Sequence, residues 1–157
     1  MFITPDELIS AMYEYQMTEI TEGNDDIVQM AIDSAVEEMK SYLTPSNQKR
    51  FKDGRPRYDV AAIFGASETD RNPLVLTLCK SIAVWYVCQL SNVDIIHEKV
   101  KERYDRAIDW LEKVSSTGKY ADSPAITADL PNLPAEELTS DTGKPYRSGS
   151  REKFNHE

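Results

Sequence analysis

The stretch VKERYDRAIDWLEKV, Val100 to Val114, decides how this chain folds. Tyr104, Ala107, Ile108, Leu111 and Val114 recur at the three-and-four spacing of one helical face, while Lys101, Glu102, Asp105, Arg106, Asp109 and Glu112 occupy the rest. A helix of this kind has one side to hide, so an apolar element must lie against it. Upstream, Ser91 to Asp94 offers a capping pattern from which the helix would run to about Ser116. Downstream, Gly118 is the expected left-handed stop, and Lys113 and Lys119 suit the negative end of the helix dipole.

The expected cover is the preceding helix. Asn72-Pro73 caps it, and Leu74 to Leu90 is apolar almost all the way round, with Val75, Leu76, Leu78, Ile82, Val84, Trp85, Tyr86 and Val87. A membrane span is the competing reading. The run is at the short end of the roughly 20 residues a span needs, and Thr77, Lys80, Ser81 and Gln89 interrupt it, so a central core helix and no membrane are expected.

Toward the N-terminus, Thr4-Pro5-Asp6-Glu7 carries a helix start: Thr4 as N-cap, Pro5 at the first helical position and Glu7 completing a capping box, with Ile3 and Leu8 placed for a hydrophobic staple. This helix is expected to fade around Glu14 or Tyr15. Gly23 and Asn24 open a longer one, with Asp25 and Asp26 at its positive end and Val28, Ile32, Ala35, Met39 and Leu43 on one face; it must stop before Pro45. Between Pro45 and Asn72 the periodicity breaks down, leaving a long loop with one short helix over Val60 to Phe64. No run from Met1 to Tyr120 alternates as a strand would. The reading is an all-α fold, a small bundle of about four main helices with a long basic loop.

From Ala121 the composition shifts to Pro, Ser, Thr and Asp with isolated apolar residues. Residues 1–120 are therefore expected to form the helical domain and 121–157 an extended arm, on which Ile126, Leu130, Leu133, Leu138, Tyr146 and Phe154 are spaced as anchors for docking.

Charge is distributed unevenly. From Met1 to Leu43 ten acidic residues face Lys40 alone, which equals the whole formal net charge of -9. The basic counterpart is QKRFKDGRPRY, Gln48 to Tyr58, where Lys49, Arg50, Lys52, Arg55 and Arg57 interleave with Phe51 and Tyr58. That loop can contact phosphates, or pair with the acidic surface of a neighbouring subunit; the acidic first segment favours pairing. An acidic total argues against a general nucleic-acid coat protein.

No catalytic constellation is present. His97 and His156 form no metal pair, adjacent acids such as Glu37 and Glu38 diverge around a helix, and GASETD from Gly65 lacks the Lys and second Gly of a phosphate loop. An enzyme, a cofactor and a metal are not expected. Cys79 and Cys88, nine apart in one helix, lie on opposite faces about 13.5 Å apart along the axis and cannot bond to each other. Two buried thiols and an N-terminus without signal-peptide character fit synthesis in the cytoplasm.

Taken together, ITPDEL (Ile3 to Leu8), AIDSAVEEMKSYL (Ala31 to Leu43), the basic loop, the apolar helix and VKERYDRAIDWLEKVSSTGKY (Val100 to Tyr120) resemble the head-tail connector proteins of Mu-like phages. The most specific pieces are Thr4-Pro5-Asp6, Tyr42-Leu43, and Arg103-Tyr104 followed by Ala107-Ile108 and Trp110-Leu111. The resemblance covers nearly all of Met1 to Tyr120, and the extension to Glu157 does not match residue by residue. It implies a ring of many copies under the portal, joining the DNA-filled head to the tail. The implied partners are the chain itself, the portal, a tail-side neck or tail protein, and double-stranded DNA that passes without specific binding. The implied location is the virion neck, after synthesis in the host bacterium.

An acidic lumen would repel phosphates, so Glu14, Glu19, Glu22, Asp25 and Asp26 are hypothesised to face the channel. A ring structure with those residues on its outer rim would remove the idea. The alternative is a small helical nucleic-acid-binding or regulatory protein using residues 48–58; a monomer or dimer with salt-dependent DNA affinity would favour it.

Overall fold

A computed structural model of the chain describes residues 2–44, 57–91 and 98–133. Among them six α-helices follow in order: α1 (Pro5–Leu8), α2 (Glu14–Thr21), α3 (Asp25–Leu43), α4 (Val60–Gly65), α5 (Pro73–Leu90) and α6 (Glu98–Ser115), with single 3-10 turns at Glu68–Asp70 and Gly118–Tyr120. There is no strand among the described residues; one isolated antiparallel bridge joins Tyr58 and Asn132. The fold is all-α.

α5 is the centre. The Asn72 side chain accepts from the N–H groups of Leu74 (3.0 Å) and Val75 (3.2 Å), and Pro73 supplies the first helical residue. Val75, Leu78, Cys79, Ile82, Ala83, Val84, Val87 and Cys88 are buried on it, chiefly against α3 and α6, which also touch each other. α5 is long and apolar enough to cross a membrane by length and composition; here it is the helix around which the others pack. The core faces expected from periodicity are those observed. Val28, Ile32, Ala35, Met39 and Leu43 are buried on α3; Ala107, Leu111 and Val114 are buried on α6, with Tyr104 and Ile108 half-buried beside them. α5 is therefore the cover of the amphipathic α6.

Cys79 and Cys88 are free and buried. Burial pushes the Cys79 thiol up to about 12 and raises Cys88 as well.

Two local expectations are corrected. The first helix does not continue to Glu14 or Tyr15: it ends at Leu8, and a separate α2 begins at Glu14. The Thr4 N–H donates to Glu7 Oε2 at 3.0 Å as a capping box requires. Arg71 then clamps the segment, donating from Nη1 to the Phe2 carbonyl (2.7 Å) and Glu7 Oε2 (2.9 Å) and from Nη2 to Glu7 Oε1 (2.6 Å). With Ile3, Leu8 and Met12 all drawn into the core and the Ser10 hydroxyl bonded back to the Glu7 carbonyl at 2.8 Å, the helix gives way to a turn. The chain restarts at Tyr13, whose ψ of 139° is extended.

At the far end, Ser116 and not Gly118 makes the first left-handed turn after α6, at φ 56°. The Thr117 N–H reaches the Glu112 carbonyl at 3.0 Å, closing the helix two residues before Gly118. The Ser116 hydroxyl donates to the Ser123 carbonyl, with the Tyr120 carbonyl at the edge of its reach, and this ties the left-handed residue to the segment that follows. Gly118, at φ 55°, starts the turn that follows. The capping pattern at Ser91 to Asp94 lies mostly outside the described residues, and α6 is described from Glu98.

The described part of the arm, after a turn at residues 121–123, has no helix or strand and lies back on the helices. The Ile126 N–H donates to the Lys113 carbonyl (3.2 Å), Asp59 N–H to Pro131 (2.8 Å) and Leu133 N–H to Arg57 (2.7 Å). The Asn72 amide donates to the Asp129 carbonyl at 3.1 Å, so the cap of α5 also holds the arm. Leu130 is buried, and Tyr58 beside it is buried with its hydroxyl donating to the Val114 carbonyl at 3.2 Å. These contacts occupy the backbone groups that a free arm would have left to solvent.

Candidate interaction surfaces

The acidic residues of the N-terminal segment do not form one surface. Glu14, Glu19, Glu22, Asp25 and Asp26 are all exposed. Glu14 and Glu19, five residues apart on α2, diverge by about 140° around its axis, so they do not form one flat patch. Glu22, Asp25 and Asp26 crowd the turn into α3, where the N-terminal dipole and the Asn24 cap (Asp26 N–H to Oδ1, 3.0 Å) favour negative charge.

Three acids of α3, Asp26 among them, also form a second feature, while Glu38 points elsewhere. Asp26, Asp33 and Glu37 line up with Met30 along the outer side of the helix, opposite Val28, Ile32, Ala35 and Met39, and Met30 is 57% exposed. Asp33 accepts from Gln29 at 3.0 Å, and Glu37 pairs with Lys40 at 2.7 Å.

Lys49, Arg50, Lys52 and Arg55 of the basic loop lie outside the described residues, as do Leu138, Tyr146 and Phe154 of the arm and both histidines. Arg57 is exposed. Of the three arm anchors that are described, Ile126 is exposed, Leu133 half-buried and Leu130 buried within the chain's own body. Leu130 is not free to anchor a partner in this arrangement.

Two features escaped sequence reasoning. The first is a groove of about 690 Å³ between the Ile9–Tyr13 turn and the start of α6, lined by apolar Ile9, Met12, Tyr13 and Val84 and by Lys99 and Arg103. Ile9 and Tyr13 are exposed although apolar, and the Tyr13 ring stacks on Tyr15 at 5.7 Å. The signal available was the spacing of Lys99, Arg103 and Arg106, one basic edge on a helix read mainly for its apolar face.

The second is an aromatic cluster around Glu38. The Tyr104 hydroxyl donates to Glu38 Oε1 at 2.8 Å, and Trp85 stacks on Tyr104 at 4.9 Å. Glu38 Oε2 is buried, with the Tyr42 and Tyr86 phenols as further neighbours of the carboxylate. Burial, reinforced by that carboxylate, raises the Tyr42, Tyr86 and Tyr104 phenols above their ordinary values. The cluster ties α3, α5 and α6 together.

At the end of α6, Asp109 gathers Lys113 (2.6 Å), Lys119 (2.5 Å) and the Tyr120 hydroxyl (2.9 Å). These hydrogen bonds, Lys113 first, hold its carboxyl well below the usual range. The contact fixes the turn from which the arm leaves. Among the described residues no group of three or more His, Cys, Asp or Glu is placed to hold a metal ion.

Residues 2–122 match the model of a protein family described as Bacteriophage Mu, Gp36. No curated protein and no solved structure matches the chain.

Proposed function

The chain belongs to the bacteriophage Mu Gp36 family, and from that premise we propose that it is a structural virion protein, a head-tail connector that forms an oligomeric ring between portal and tail. Membership makes it a Mu-like phage protein; the connector role, the ring and the neck location are the finer reading. The observation that carries it is that the matched segment, 2–122, takes in all six described helices. What the family shares is thus the helical body.

Surface chemistry supports the reading. A ring of identical copies built head to tail needs two different, complementary surfaces on one subunit, and this body carries acidic and basic edges on different helices. DNA has to pass through such a ring without adhering. The acids crowding the turn between α2 and α3 would repel phosphates if that turn faced the lumen.

Sedimentation of the purified chain, alone and mixed with the portal of the same phage, tests the proposal. A closed oligomer or a stoichiometric complex with portal is expected. A chain that stays monomeric in both, and instead binds duplex DNA with a steep salt dependence, would refute it.

A further inference from the structure

We infer that the groove between the Ile9–Tyr13 turn and the start of α6 is the seat for the outer face of α3 of a second copy of this chain. The inference rests on the ring reading and gives it an interface. The groove has an apolar floor with two cations at its edge, Lys99 and Arg103, and Arg106 continues that edge one turn further along α6. Among the described residues none of the three is held in an ion pair. Among the described residues Glu98 is the one acid in the lining.

The outer face of α3 has the opposite character. It is an open face of a helix, it carries Met30 at 57% exposure, and Asp26, Asp33 and Glu37 flank that thioether. Gln29 and Lys40 satisfy Asp33 and Glu37 only on the surface: Glu37 keeps 72% of its side chain exposed in its pair, and such pairs are easily exchanged for better-placed cations. An apolar centre ringed by carboxylates fits an apolar groove edged by ammonium and guanidinium groups, the arrangement of an interface core and its charged rim.

A second copy is the occupant this chemistry selects, because both halves of the match are carried by one chain in equal number. The two patches share no residue. Each copy therefore offers its α3 to one neighbour and its groove to the other, and a repeated heterologous contact of this kind closes into a ring when the rotation permits.

The test places one cysteine on each side, in separate chains. A tagged Tyr13→Cys copy is co-assembled with an untagged Met30→Cys copy in the presence of portal and oxidised; the native thiols are buried and do not compete. The tagged–untagged disulfide dimer is expected as the main covalent product. Arg103→Glu on the tagged copy should lower its yield by about tenfold or more, since it sets like charges against each other. If the wild-type chain sediments as an oligomer but the mixed dimer is no more abundant than Tyr13–Tyr13 or Met30–Met30 products, the interface is wrong and the ring stands. A disulfide between the Tyr13→Cys copy and portal as the main product would assign the groove to portal and overturn the inference. A wild-type chain that remains monomeric with portal present would overturn both.

Discussion

Replacing Glu7 by Gln should destabilise the protein in a way that depends on pH, because Glu7 is the acceptor in the clamp that holds the N-terminal segment to the turn just before α5. Arg71 donates twice to its carboxylate, at 2.6 and 2.9 Å, and only 11% of the Arg71 side chain and 30% of the Glu7 side chain remain exposed. Hydrogen bonding to Arg71 lowers the Glu7 carboxyl from 4.5 to about 2. By linkage, a depression of that size bounds the contribution at ~3 kcal/mol, and solvent at the exposed edge reduces it to roughly 2 kcal/mol.

The sign follows from the direction of the shift. Because the folded pKa lies below the unfolded one, the stabilisation is complete above 4.5, shrinks as pH falls through the window between 4.5 and about 2, and is absent below it. Urea unfolding of wild type and Glu7→Gln should therefore differ by about 2 kcal/mol at pH 7 and converge toward pH 2. Arg71→Ala should cost at least as much at neutral pH, since it also strips a donor from the Phe2 carbonyl and leaves the Glu7 carboxylate unpaired. A difference between wild type and Glu7→Gln that stays constant from pH 7 to pH 2.5 would refute the reasoning.

Three further outcomes are expected. Glu22 closes α2 in the left-handed conformation at φ 53° while fully on the surface, so Glu22→Gly should stabilise by about 0.5–1 kcal/mol and raise Tm by roughly 1–4 °C in calorimetry. Leu111 is entirely buried where α6 meets α5, and Leu111→Ala should cost about 2–5 kcal/mol in the same unfolding assay. The Cys79 thiol, buried and raised to about 12, should react with an aromatic disulfide reagent only at the rate of unfolding, with full reactivity in denaturant.

The fold was legible wherever one helical face repeated long enough to average out single residues. α3 and α6 run for 19 and 18 residues, and their buried positions are those that the three-and-four spacing selects. α5 was legible for the opposite reason, since a helix apolar almost all round, but too short and too interrupted by polar residues for a comfortable membrane span, is expected at the centre. The short elements were not. α1 and α2 together span less sequence than α3, and what separates them is the side chain of Arg71, distant in sequence, together with the burial of Leu8 and Met12. A tertiary contact of that kind overrides the local helical preference of Ile9 to Met12 and leaves no periodic trace.

The arm shows the same limit from the other side. Its composition says only that it cannot build a core of its own; it does not say that a core is already waiting for it. Asn72 supplies that link, for its carbonyl oxygen caps α5 while its amide nitrogen holds the Asp129 carbonyl. Tyr58 does likewise, bridging the arm at Asn132 and α6 at Val114. The surfaces were half legible for a related reason. Counting charge located an acidic segment, but which acids act together depends on the helix phase: Glu14 and Glu19 diverge, whereas Asp26, Asp33 and Glu37 align beside an exposed Met30. Met30 was the available signal, an apolar residue out of phase with the buried face of α3. A single exposed apolar residue is ordinary on a protein surface; what singles out Met30 is the row of carboxylates beside it, whose charge is opposite to that of Lys99 and Arg103 at the edge of the chain's own groove.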